Sequence, residues 1–186
     1  NQIFRVGVPA LTAMLVDLST EFKEIEIYCT PGNHGRVGPK GWGNPVTNFD
    51  SVFSEVLKLA CQHIPNIKFK VTWEWYLVFY IWDWGFMQTH GDNIKSWMNL
   101  PVYGWTQKVM RWSGSIPEKF QYLLLGHFSN VSYLRWNDKK IIVNGCFPDS
   151  DDYVTSQLGM LSVAEQIIFG VHKNKGVTFK YEIGLA

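Results

Sequence analysis

The stretch Tyr122-Leu123-Leu124-Leu125-Gly126-His127-Phe128-Ser129 decides how this chain is read. Four apolar residues in a row, stopped by glycine, are too few for a helix and suit a strand covered on both faces. An imidazole follows directly on its carboxyl end. The same arrangement occurs twice upstream. Ile25, Ile27 and Cys29 alternate with polar residues and end at Pro31-Gly32, where Asn33 and His34 follow. Phe86 to Thr89 forms another short β-rich run, which delivers His90-Gly91-Asp92. In open α/β sheets ligands gather beyond the carboxyl ends of strands, so three polar turns of this kind mark candidate chemistry.

Working outward, Leu11, Met14, Leu15, Leu18 and Phe22 recur at helical spacing and predict a helix over Pro9 to Phe22. Gly35 to Pro45, rich in glycine and proline, reads as a long surface loop. Asn48 or Asp50 would cap a second helix, whose face is Val52, Phe53, Val56, Leu57, Ala60 and Ile64. A third is expected over Val102 to Trp112. Further strands are expected around Phe69, Val71 and Trp73, over Tyr76 to Trp82, and over Val177 to Ile183. Asp83-Trp84-Gly85 reads as one hairpin turn. Trp136-Asn137-Asp138 reads as a second, between Val131–Arg135 and Lys140–Val143. Helices interspersed with strands predict an α/β fold, a layered sandwich with mixed β-sheets flanked by helices, forming one domain over residues 1–186.

Composition narrows the class. The chain has 186 residues, 46% hydrophobic and 18% charged, with a net charge of +1. That is a globular balance, and it argues against a highly basic nucleic-acid module. Nine Trp, eight Tyr and twelve Phe are an unusual load, read first as a core and a sheet face filled with rings. Trp42, Trp97 and Trp105 could line a substrate groove near the candidate site, with core packing as the first reading. Cys29, Cys61 and Cys146 show no C-x-x-C spacing, which suggests neither a disulfide framework nor a zinc ribbon. A reduced, cytoplasmic setting is expected. The longest uninterrupted apolar run, Tyr76 to Trp82, is too short for a bilayer, so no membrane partner is expected.

Imidazoles and an amide oxygen suit Mn, Fe, Ni or Zn. Two imidazoles and one amide leave positions open, as a catalytic metal requires. Asp92 is the candidate acceptor that would orient a ligating ring. His63, near a helix end, and His172, beside Lys173 and Lys175, read as solvated histidines; Asp151-Asp152 could bind a cation, with a turn that closes the strand before it as the first reading.

Gly32-Asn33-His34, then His90-Gly91, then Gly126-His127-Phe128-Ser129 resembles, in order and spacing, the third to fifth signatures of calcineurin-like metallophosphoesterases. Gly32 to Arg36, His90-Gly91-Asp92, Asn144-Gly145-Cys146 and Asp151-Asp152-Tyr153 are most similar to phage-type, DNA repair exonuclease-like members. The resemblance implies a phosphoesterase using metal-activated water, with a phosphoester substrate such as DNA, in the cytoplasm of a phage-infected host. It implies Asn33, His90 and His127 as ligands of one metal, with manganese first and Fe, Zn or Ni as alternatives. It gives His34 the catalytic role at the phosphoryl oxygen or leaving group. Arg36, by its forked donors, reads as a further phosphate contact or as a solvated loop charge.

The departures from the family's pattern belong to the other metal. Asp-x-His and the following Gly-Asp signature are not found in residues 1–31, and Ser129 stands where a second histidine belongs. A second metal is expected only if its missing ligands come from an upstream segment or a second chain. The competing expectation is a degenerate, non-catalytic binding or structural member of the fold. The oligomeric state is left open.

Overall fold

The computed structural model describes residues 2–39, 44–98, 100–149 and 161–185. Two compact units divide the chain, residues 1–77 and 78–186.

In the first unit, a π-helical turn (Gln2–Gly7) leads into α1 (Val8–Glu21), followed by β1 (Ile25–Cys29), α2 (Phe49–Ala60) and β2 (Ile67–Val71). Strands β1 and β2 pair in parallel from Ile25 opposite Ile67 to Cys29 opposite Val71. A parallel pair needs a crossover, and α2 lies on it. Helix α1 starts with Pro9 in its first turn, where a missing N–H costs nothing. Its Leu15 meets Leu57 and Cys61 of the α2 region, and Leu11, Leu18, Ile27, Phe53 and Phe69 close around them. Burial pushes the thiols of Cys29 and Cys61 above their ordinary range. Ile3–Glu21, at 19 residues and mean hydropathy 1.4, is a helix long and apolar enough to cross a membrane by length and composition alone. Interruption by Arg5 and Thr12 hides it from a search for unbroken apolar runs.

The second unit contains α3 (Pro101–Ser115) and a five-stranded sheet. Its strands are β3 (Tyr76–Ile81, beginning at the boundary), β4 (Trp84–Thr89), β5 (Tyr122–Leu125), β6 (Ser132–Trp136) and β7 (Lys139–Val143). The spatial order is β3-β4-β5-β7-β6, with β4, β5 and β7 parallel and β6 antiparallel to β7. The α/β class with a mixed sheet is therefore as expected. Phe86, Met87, Leu123, Ile141 and Val143 are fully buried, which is why these strands read as unbroken apolar runs rather than as alternation. The first hairpin turns at Trp82-Asp83, earlier than the glycine suggested. Gly85 belongs to β4, where its N–H donates to Gln121 Oε1 at 2.8 Å. A β-carbon there would lie 2.3 Å from the Lys119 carbonyl, so this glycine serves close approach and not a turn.

A separate hairpin, β8 (Glu165–His172) and β9 (Gly176–Gly184), completes the unit. The last strand was expected; β8 was not, and His172 ends it. Phe86 stacks on Tyr122 at 4.5 Å, with Phe79 at 5.4 Å and Phe169 of β8 at 5.9 Å. This is the ring-filled sheet face that the aromatic content foretold. It does not absorb Trp97, which is 64% exposed, whereas Trp105 of α3 is buried. Trp42 and Asp151-Asp152 lie outside the described residues.

Candidate functional site

Parallel pairing of β4 with β5 aligns Thr89 with Leu125, so the loops that follow leave the sheet side by side. The Gly126 N–H donates to the His90 carbonyl at 3.0 Å, which carries the ladder beyond the strands themselves. His127 Nδ1 then stands 3.3 Å from His90 Nε2, with the rings edge to face at 5.0 Å. Two of the expected ligands are thus brought together by strand register alone.

The backbone at His127 is unusual. Its φ is 64°, and the Phe128 N–H donates across it to the Gly126 carbonyl at 2.7 Å, a three-residue turn that non-glycine residues seldom adopt. Ser129 is also left-handed, at φ 62°. Opposite them Gly91 has φ 108°, and a β-carbon on it would meet Phe128 at 3.2 Å and His127 at 3.6 Å. Strained backbone held by its surroundings is characteristic of functional loops. Packing holds this one: Trp105 of α3 meets the Phe128 ring at 5.1 Å, and the Cys146 thiol lies 3.2 Å from the Ser129 carbonyl.

Asn144, singled out by sequence for its motif, acts as a strap. Its side chain accepts from the Ile167 N–H at 3.0 Å and donates to Gln166 at 2.7 Å, which fastens the end of β7 to β8. Asp92 is exposed on the turn after Gly91.

Asn33, His34 and Arg36 belong to the first unit, in the loop after β1. Asn48 and Asp50 at the start of α2 hold that loop. Gly32 donates to Asp50 Oδ2 at 2.8 Å, and Asn48 Nδ2 donates to the Gly32 carbonyl at 2.7 Å. Phe49 N–H donates to the Gly35 carbonyl at 2.6 Å, and Arg36 reaches back to the carbonyl of Asn33. His34 is exposed and Asn33 half-buried. Asn48 also caps the helix, accepting from the Asp50 N–H at 2.8 Å. Replacing buried Asn48 with alanine should therefore cost about 2 kcal/mol, a cap plus a carbonyl bond. Asn48→Asp keeps the cap and recovers only part. Urea denaturation of both variants reads the difference, and equal stability of Asn48→Ala and wild type would show that the cap does not hold the loop.

The donor set can be tested against a cation by distance. Two nitrogens each about 2.0–2.1 Å from a tetrahedral metal stand about 3.3–3.4 Å apart. The two rings share a hydrogen bond of 3.3 Å, a separation that also falls at that span. Among the described residues no three His, Cys, Asp or Glu side chains gather, so any further ligand is of another type or lies elsewhere.

No protein-family model matches the sequence, and no curated protein matches it. Among solved structures the chain is similar to wild-type Vps29 complexed with zinc from Entamoeba histolytica, at 12% identity and TM-score 0.48 over 93% of this chain and 88% of that one. It is also similar to a predicted phosphoesterase from Streptococcus pneumoniae TIGR4, at 10% identity and TM-score 0.45 over 95% and 90%. A third similarity is to an archaeal phosphodiesterase, at 15% identity and TM-score 0.44 over 91% and 76%.

Proposed function

We propose that this chain is a metal-dependent phosphoesterase acting on phosphodiesters, DNA included. The observation that supports it is the 3.3 Å approach of His127 Nδ1 to His90 Nε2 on strained loops at the carboxyl ends of adjacent parallel strands. These two imidazoles would hold a divalent cation, manganese first. Such a cation supplies a water of near-neutral pKa and offsets charge that builds on the phosphoryl oxygens. The motif resemblance gives Asn33 a place among the ligands and treats residues 1–186 as one domain. It also gives His34 the proton or hydrogen bond delivered at the phosphoryl or leaving-group oxygen. Arg36 fixes the loop through the Asn33 carbonyl and offers its other N–H groups to phosphate. Asp92 would orient the His90 ring.

With Mn²⁺ and a chromogenic phosphodiester, wild type should turn over, and His34→Ala should lose about 10²–10⁴ in kcat. His34 is exposed, so the variant folds. Equal rates for the two proteins would remove His34 from the chemistry. The second reading, a non-catalytic binding member of the fold, is favoured by Ser129, which stands where a further imidazole would be needed. It predicts at most one metal per chain and no turnover; two tightly bound metals by elemental analysis would exclude it.

A further inference from the structure

Between Asp92 and Glu118 the chain carries no carboxylate, but it has Lys95, Lys108 and Arg111. All three cations line one cavity of about 240 Å³, together with Gly104 and the amides of Asn93 and Gln107. Gly104, Gln107, Lys108 and Arg111 follow helical spacing and so form one face of α3. Gly104 lets the facing loop press in, since a β-carbon there would lie 2.3 Å from the Lys95 carbonyl. Lys108 rests its ammonium over the Trp112 ring at 5.4 Å, which places that charge.

Two exposed rings, Trp97 and Tyr103, neighbour these lining residues along the chain. Trp97 and Leu100 exchange two backbone hydrogen bonds, of 3.1 and 2.8 Å, in a tight turn only two residues beyond Lys95. That turn leaves Trp97 64% exposed. Tyr103, 56% exposed, lies one helical turn before Gln107 and two before Arg111, and its ring is 6.1 Å from that of Trp97. Exposed rings beside a concave cationic surface suit stacked bases and their phosphates. A duplex hides its base faces, and an anionic headgroup layer does not call for a cavity edged with amides.

We infer that the loop from Asn93 to Met98 and the adjoining face of α3 bind a single-stranded nucleic acid, with Lys95, Lys108 and Arg111 on its phosphates and Trp97 and Tyr103 against its bases. The site lies wholly within the second unit and does not rest on the phosphoesterase reading. Fluorescence anisotropy of a labelled oligothymidylate with the full chain in EDTA tests it apart from any turnover. Binding should weaken with salt at a log–log slope of about −2, the value for three phosphates on a single strand. Lys95→Gln/Arg111→Gln, two exposed positions, should bring the slope to about −0.7. Trp97→Ala should weaken binding about tenfold with the slope unchanged. An equal-length duplex and anionic phospholipid vesicles should bind at least tenfold less well. No binding, variants that bind like wild type, or a duplex or vesicles bound equally well would each overturn the assignment.

Discussion

His127→Ala should bind Mn²⁺ at least about 100-fold more weakly than wild type in isothermal titration, and His90→Ala should do the same. Loss of an outer partner of a metal ligand already costs about 10–100-fold, and loss of the ligand itself costs more. The backbone adds a second, opposite signature. At φ 64° the His127 residue is held where an L-residue gives up about 1–2 kcal/mol. Glycine has no such penalty, though it gives part of the gain back as unfolded-chain entropy. In EDTA, His127→Gly should therefore be more stable to urea than His127→Ala by about 1 kcal/mol while binding metal equally poorly. Wild-type Mn²⁺ affinity in His127→Ala would end the metal-centre reading. Equal stability of the alanine and glycine variants would end the claim that this loop is strained.

Gly176→Ala should lower stability by about 3 kcal/mol, with a fall in melting temperature of about 10 °C. Gly176 closes the β8–β9 hairpin at φ 71°, where alanine meets the same left-handed penalty. Its β-carbon would also lie 2.1 Å from Tyr122 Oη and 3.3 Å from the Trp84 ring. Neither neighbour yields easily. Tyr122 is fully buried and its hydroxyl accepts from the Val177 N–H at 2.9 Å, while Trp84 Nε1 donates to the Lys173 carbonyl at 2.9 Å. Overpacking of this kind typically adds about 1–3 kcal/mol. Tyr122→Phe removes the clashing oxygen, so the double variant should be less destabilised than the sum of the two singles. Thermal melts of all four proteins decide it, and strict additivity would mean that Gly176 and Tyr122 do not meet as described.

Much of this follows from residues that act on near neighbours. The alternation of Ile25, Ile27 and Cys29, the apolar run Tyr122 to Leu125 and the cap at Asn48 are set by burial periodicity and by hydrogen bonds a few residues long. They are legible as text, and so are the three polar turns that carry Asn33, His90 and His127. Other features were misread because the same residue serves two physical ends. Gly85 looks like a turn, yet it is there for a carbonyl that passes 2.3 Å from where a side chain would begin. Trp97 looks like core, yet a turn closed by backbone bonds to Leu100 pushes it into solvent.

The strand β8 shows the other limit: Gly170 interrupts it, and a β-carbon there would sit 2.1 Å from the Phe179 ring that covers the gap. Its strap at Asn144 comes from a residue 23 positions from Ile167, outside any local window. Local pattern was enough to say which segments form the strands of the five-stranded sheet and where the imidazoles stand along the chain. Only the pairing of β4 with β5, chosen by the packing of fully buried side chains on both faces, set His90 beside His127 and twisted the latter's backbone to reach it. Periodicity records which side of an element is dry, but it carries no term for which distant element will lie against it.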